Sequence, residues 1–523
     1  MTHPAGGLNV RRLLEPGFYP HPVRGLRLVE THISWVFLTG DYAYKVKKPL
    51  DLGFLDFSTL DKRAHCCREE LRLNRRLAPS LYLDVVALTG TPEAPVLGGP
   101  GEPVEYAVKM RQFDEAGLLD RLIARGELPP ERIDRVARIA ADFHARAEQA
   151  PADTDFGTPE RAHYPVAENF RQTLALVSAP EVVARLERLQ AAGEEAYRRL
   201  APRMAARRRD GFIRECHGDM HLGNMALVDG DVAIFDGIEF NANLRWIDVM
   251  SEVAFLCMDL EQRGRPDYAW RFLNAYLERT GDYAGLALLR YYQAYRAMVR
   301  AKVTAIRLAQ PGLPEADRAA AEASFLGYLG LAEGYAGAGR PFLAITRGPS
   351  GVGKSWVAGG LAERLGAVRV RSDVERKRLA NLAPDARSGS GFDTGIYTRE
   401  MSQATYARLA ELAREVASAG LPVVADAVFL ERAHREPFAA IARELGIPFL
   451  VLDLTAPRET LRTRLSERER AGGDASEATA AVVDRQIEAW RPLDADEAGV
   501  ALPIDASGAV DLDALAREIG HRR

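Results

Sequence analysis

The sequence predicts two modules of different class on one chain of 523 residues. An α+β module, a small sheet lobe plus a helical lobe, spans 1–336, and an α/β domain with a parallel sheet spans 341–523. Three observations carry this division. Strand-like runs gather before residue 111, whereas helical periodicity dominates from about 114 to 210 and returns over 245–335. The small-residue stretch Gly334-Tyr335-Ala336-Gly337-Ala338-Gly339-Arg340-Pro341 marks a boundary. Beyond it strands and helices alternate, the pattern of a parallel sheet covered on both faces.

Taken in order, Ser34 to Leu38 and Tyr42 to Val46 read as short strands joined at Thr39-Gly40-Asp41. A helix is expected from about Leu60 to Leu77, closed by Ala78-Pro79. Leu81 to Leu88 and Val104 to Met110 read as further strands, and Arg132 to Ala147 as an amphipathic helix. In the second module the expected strands are 342–346, 367–371, 421–426, 447–454 and 501–505.

Composition narrows the function classes. With 47% hydrophobic and 27% charged residues the chain reads as an ordinary globular protein. A net charge of −4 argues against a general partner among nucleic acids or membrane surfaces. The four cysteines have no paired spacing, so neither a disulfide framework nor a zinc site is expected. No signal peptide or membrane-spanning run is read, which makes the cytoplasm the expected location. The chain has eight lysines, most of the remaining positive charge being arginine. Lys45 and Lys354 fall where phosphate chemistry wants a compact ammonium on a flexible stem.

The first chemical signature is His217-Gly218-Asp219-Met220-His221-Leu222-Gly223-Asn224, followed by Asp236 at the end of the apolar run 232–235. Such a turn between strands is by itself only a turn; Asn224 and Asp236 in register make it a candidate site. Phosphoryl transfer needs positioned phosphates, charge neutralisation and a carboxylate near the attacking hydroxyl. Asp219 would accept the hydroxyl proton, while Asn224 and Asp236 would hold Mg2+, which prefers oxygen ligands. Tyr42-Ala43-Tyr44-Lys45 resembles the lysine strand of protein kinases. This implies that Lys45 binds the α- and β-phosphates with Glu70 on the next helix as its ion-pair partner, and that the segment Tyr106 to Phe113 forms the hinge beside the adenine. His144, His221 and Asp248 are expected to be structural.

These residues resemble the aminoglycoside phosphotransferase and choline kinase-like family, whose loop reads His-Gly-Asp, over roughly 25–335. The resemblance implies a kinase-like fold and ATP as phosphoryl donor. Two departures stand out: Thr39-Gly40-Asp41 holds a single glycine where a phosphate-covering loop is expected, and Asp236-Gly237-Ile238-Glu239 replaces the more usual Asp-Trp-Glu. Tyr291, Tyr292, Tyr295, Arg296 and Arg300 lie where this family builds its acceptor pocket, although aromatics at that spacing are more often core.

The second signature is Gly348-Pro349-Ser350-Gly351-Val352-Gly353-Lys354-Ser355 after a strand and before a helix. In this P-loop pattern Gly348, Ser350, Gly351 and Gly353 shape a backbone that curls round a phosphate. Lys354 reaches the β- and γ-phosphates, and Ser355 ligates Mg2+. Asp373 would sit near the acceptor hydroxyl unless it is a helix N-cap, and Asp426 is the expected Walker B carboxylate, acting on Mg2+ through water. Arg464, Arg468 and Arg470 run into Ala471-Gly472-Gly473-Asp474, the expected lid, whose arginines would close over the transferring phosphoryl group. This half resembles the P-loop families of gluconate, polynucleotide and zeta-toxin-like kinases. The whole resembles bacterial fusions of an aminoglycoside phosphotransferase-like domain to an AAA-family P-loop domain.

The expectation is a two-domain, Mg-ATP-dependent phosphotransferase acting on hydroxyls of small molecules. Two alternatives stay open: one catalytic module governed by a nucleotide-sensing partner module, and a polynucleotide 5′-hydroxyl kinase.

Overall fold

The computed structural model describes residues 7–522 apart from 54, 311, 387, 389–394 and 472–479; the side chains of 468–471 and 480–481 also lie outside the description. Cα proximity divides the chain into two compact units. One comprises residues 1–132, 142–168 and 201–259, the other 133–141, 169–200 and 260–523. Helical segments on either side of the first signature therefore group with the P-loop sheet.

The first unit is built on a six-stranded antiparallel sheet: β1 (Arg27–Glu30), β2 (Ser34–Leu38), β3 (Tyr42–Lys47), β4 (Tyr82–Gly90), β5 (Pro95–Leu97) and β6 (Glu105–Arg111). The strand order is β1-β2-β3-β6-β4-β5. Side chains alternate across a strand. Tyr44 and Val46 of β3 therefore join Phe37, Leu88 and Ala107 in the core on one face, and Lys45 and Lys47 share the other. The Leu60–Asn74 helix is capped by Thr59, whose side chain accepts the Lys62 N–H. Its buried stripe runs through Arg63, Cys66, Cys67, Glu70, Leu73 and Asn74 at helical spacing. That spacing turns Glu70, rather than Glu69, inward.

Two short ribbons frame the first signature: β7 (Ile213–Glu215) pairs with β10 (Trp246–Asp248), and β8 (Met225–Val228) with β9 (Asp231–Ile234). Segments of three or four residues carry too little alternation to be read from sequence, which is why β1, β5, β7 and β10 were not expected.

The second unit contains the helices Pro266–Thr280, Leu286–Leu308 and Glu315–Ala336 and a five-stranded parallel sheet. Its strands are β11 (Leu343–Arg347), β12 (Val368–Arg371), β13 (Val423–Asp426), β14 (Phe449–Thr455) and β15 (Ala501–Asp505), in the order β12-β13-β11-β14-β15. β11 and β13 are buried along their whole length, as central strands of a doubly covered sheet must be. The strand following β11 in sequence lies one place removed from it. The order thereby reverses at β11, and ligands of such sheets bind beyond the strand ends at that point. Tyr291, Tyr292, Tyr295 and Arg296 are buried in this unit.

Candidate active sites

In the first unit, Lys45 Nζ donates to Glu70 Oε1 at 2.9 Å and to Asp236 Oδ1 at 2.5 Å. Lys47 Nζ donates to the other Glu70 oxygen at 2.7 Å and also to Glu239. Burial works against the Lys45 ammonium, but the charges of Asp236, Glu70 and Glu239 outweigh it and hold its pKa well above the ordinary value. Glu70 is likewise opposed by burial, and the two lysines bring its pKa below the usual carboxylate range. Asp236 itself adopts a left-handed backbone, with φ 63°. Strain of this kind persists where surrounding bonds over-determine it. Here the Asp236 N–H donates to the Tyr82 hydroxyl and the Gly237 N–H to Asn74 Oδ1.

Two buried carboxylates hold the Asp219 loop: Asp259 Oδ2 accepts the Leu222 N–H at 3.0 Å, and Glu252 takes the start of the loop. Glu252 accepts the Gly218 N–H at 2.6 Å and the His217 N–H at 3.3 Å, and lies 2.8 Å from His144 Nε2. Burial opposes its charge, yet His144, His217 and the Gly218 N–H pull its pKa down to about 2. Gly218 has φ 87°, and a Cβ there would meet Leu244 O at 2.8 Å, so the loop admits no side chain at that position. Asn224 Nδ2 donates to both the backbone oxygen and Oδ2 of Asp219 at 3.0 Å. That arrangement commits the amide nitrogen to the loop and leaves the amide oxygen as the group for a cation. Arg207 forks onto both oxygens of Asp248, giving that aspartate a structural role. Cys216 lies within metal-ligand range of His144 and Glu252; its thiol donates to Ile247 O.

In the second unit a cleft of about 1480 Å³ is lined by Ser350, Lys354, Ser355, Asp373, Asp426 and Arg464, among others. Gly348 needs its φ of 152°, and a Cβ there would strike Leu454 O at 2.8 Å. Lys354 Nζ donates to Pro349 O at 2.9 Å, and Arg464 to Val352 O at 3.2 Å. The Ser350 N–H, which in a P-loop faces phosphate, donates to Gln486 Oε1 at 2.7 Å. Asp426 is buried at the end of β13, and Arg371 Nε approaches its Oδ2 to 3.7 Å. Asp373 falls in the first turn of the Ser372–Leu379 helix, whose N-cap position is Arg371, so the capping alternative does not describe it.

Comparison with known proteins now bears on both sites. Residues 62–289 match the phosphotransferase enzyme family, and residues 343–493 match an AAA domain. Uncharacterized proteins of Mycobacterium tuberculosis and Mycobacterium bovis are 33% identical to the chain over 479 residues, covering 90% of this chain and 92% of theirs. The chain belongs to this two-module family. Among solved structures, a choline/ethanolamine kinase family protein from Mesorhizobium loti is 13% identical, with a TM-score of 0.35, over 62% of this chain and 97% of its own. A gluconokinase from Sinorhizobium meliloti is 19% identical, with a TM-score of 0.25, over 35% and 98%. Superpositions at these scores are too weak to argue from. The family assignment itself establishes two kinase-like modules in series.

Within the family frame, the structure gathers Lys45, Glu70 and Asp236 into one ion-paired cluster and bonds Asn224 to Asp219. It lines one cleft with Ser350, Gly351, Gly353, Lys354, Ser355, Asp373, Asp426 and Arg464. The Arg468 side chain and the expected lid residues 472–474 lie outside the described residues. Sequence reasoning missed Lys47, Glu252, Arg376 and Gln486, and noted Glu239 only as a departure after Asp236. Strand alternation could have found Lys47, two positions from Lys45; nothing local marks the others. No helix among the described residues is long and apolar enough to cross a membrane.

Proposed function

We propose that the chain is a two-site, Mg-ATP-dependent phosphotransferase with alcohol groups as acceptors. The first site phosphorylates a small-molecule hydroxyl, and the P-loop site carries a second kinase activity. One observation supports this above others: each compact unit holds its own phosphate lysine with its own carboxylates, Lys45 with Glu70 and Asp236, Lys354 with Asp373 and Asp426.

At the first site Asp219, about a third exposed, takes the proton of the acceptor hydroxyl. Lys45 exchanges Asp236 for the α- and β-phosphates, and Glu70 keeps it aimed because Lys47 neutralises the second Glu70 oxygen. At the second site Asp373 has the equivalent proton-accepting role, and Arg464 closes on charge developing at the transferring group. Asn224 and Asp236, and separately Ser355 and Asp426, are all-oxygen donor sets of the kind Mg2+ requires. When bound, Mg2+ supplies neutralisation of phosphate charge.

The cleft also informs the second acceptor. Arg376 is buried on its wall beside Tyr397, its Nε has no hydrogen-bond partner, and its NH1 donates to Ser402 Oγ at 3.1 Å. A buried guanidinium whose Nε–H is unanswered suits an anion, so we infer a P-loop acceptor carrying a carboxylate or phosphate besides its hydroxyl. Dependence on ATP and four buried free cysteines suit a cytoplasmic setting.

The experiment is a metabolite-pool screen with γ-labelled ATP on the wild type, Asp219→Asn and Lys354→Ala. Each variant should lose transfer to a different acceptor. If Lys354→Ala changes nothing but the ATP affinity of the first site, the P-loop unit is a sensor and the two-enzyme reading fails. Transfer to a 5′-hydroxyl oligonucleotide would replace the small-molecule acceptor at the second site.

A further inference from the structure

β12 is an edge strand, and its open side is closed by the Pro266–Thr280 helix of the same unit. Asn274 stands in for a neighbouring strand: its Oδ1 accepts the Arg369 N–H at 2.7 Å and its Nδ2 donates to Ala367 O at 3.0 Å. One turn on, Glu278 receives both arginines that β12 points the same way. Its Oε1 accepts from Arg369 Nε at 3.0 Å and NH2 at 2.5 Å, and its Oε2 from Arg371 NH1 at 3.4 Å. Arg378 NH2 adds a bond to the Glu278 backbone oxygen at 2.8 Å. Arg371 is the register partner of Asp426 across β12 and β13, so its guanidinium lies between two carboxylates.

A guanidinium so placed is shared between the two carboxylates, 3.4 Å from Glu278 and 3.7 Å from Asp426. Drawn to Glu278, it leaves Asp426 to a cation. Released, it pairs fully with Asp426, which is buried and where an ion pair is poorly screened. We propose that Glu278 is a positioning residue of the P-loop site: by holding Arg371 it keeps Asp426 available to Mg2+. The cation affinity of that site is thus set by a helix outside the residues matching the AAA domain. The inference rests on the reading of Asp426 as an Mg2+ carboxylate.

The test is Mg2+ titration of fluorescent ATP-analogue binding to the full chain, taking the part of the signal that Lys354→Ala removes. Glu278→Gln should raise the Mg2+ midpoint about tenfold and leave metal-free binding unchanged. Glu278→Asp should return the midpoint to within about twofold of wild type, because it restores the charge. In an Arg371→Ala background, Glu278→Gln should have no further effect. A folded Glu278→Gln protein with a wild-type midpoint overturns the proposal, as does an equal shift with and without Arg371. Should Glu278→Gln not fold, Arg371→Ala decides by itself: the midpoint must fall, and an unchanged or higher value overturns the idea. Lys354-dependent binding that ignores Mg2+ in the wild type would instead overturn the reading of Asp426, and this inference with it.

Discussion

Lys47 donates to Glu70 from the same strand face that presents Lys45, so one buried carboxylate serves two lysines. The two are not equivalent. Lys47 is wholly buried and faces Glu70 and Glu239, whereas Lys45 faces the half-exposed Asp236. Lys47→Met should therefore cost stability, about 3–5 kcal/mol, because it strands a buried carboxylate. Lys45→Met should chiefly cost nucleotide binding. Denaturant unfolding beside nucleotide titration checks the split; equal destabilisation by both variants would contradict it.

Asp219 Oδ2 accepts from Asn224 Nδ2 and lies 3.4 Å from His221 Nε2. Asp219→Asn should lower the turnover of the first site by about 10²- to 10⁴-fold, the worth of a positioned proton acceptor. The KM for ATP should stay within about twofold of wild type. A variant with raised KM and intact turnover would move Asp219 from proton transfer to nucleotide binding.

His217 is buried with its Nε2–H donating to Phe235 O at 2.9 Å and its Nδ1 accepting the Asp219 N–H at 3.3 Å. Burial, more than any neighbour, holds its pKa below the ordinary value. The unfolded chain takes up a proton near pH 6.5 that the folded loop refuses. This contribution is complete above that pH and is lost as pH falls through and below it, at up to roughly 1.4 kcal/mol per unit. His434 is depressed in the same sense, so the signal is the difference from His217→Gln, measured at pH 7.5, 6.5 and 5.5. Parallel profiles for the two proteins would remove His217 as the source.

Gln486 occupies the Ser350 N–H. A bound phosphate must displace it, so Gln486→Ala should tighten Lys354-dependent ATP binding by roughly three- to tenfold, the worth of one hydrogen bond. Isothermal titration reads this directly. Weaker binding in the variant would mean that Gln486 helps to hold nucleotide.

The candidate residues of both sites could be named because they sit in contiguous runs. Asp219, Asn224 and Asp236 fall within twenty residues, and the P-loop is eight residues between a strand and a helix. Glu70 was readable from the inward stripe of its helix. The supporting residues were not, since proximity in space left no mark in sequence: Glu252 meets Gly218 across 34 positions and Gln486 meets Ser350 across 136. Glu239 was visible as a departure after Asp236; its partner Lys47 could be named once both were seen buried together.

The side-chain amide of Asn274 on β12 also bears on how the protein can be divided. A fragment beginning at 341, where the sequence itself suggests a cut, would keep all five parallel strands and lose the helix that terminates them. Its edge would then present unanswered backbone donors and acceptors to any other chain, an invitation to strand addition. The compact unit that holds the parallel sheet also takes in residues 133–141, 169–200 and 260–340, so a cut at 341 removes more than the one helix that opens with Pro266.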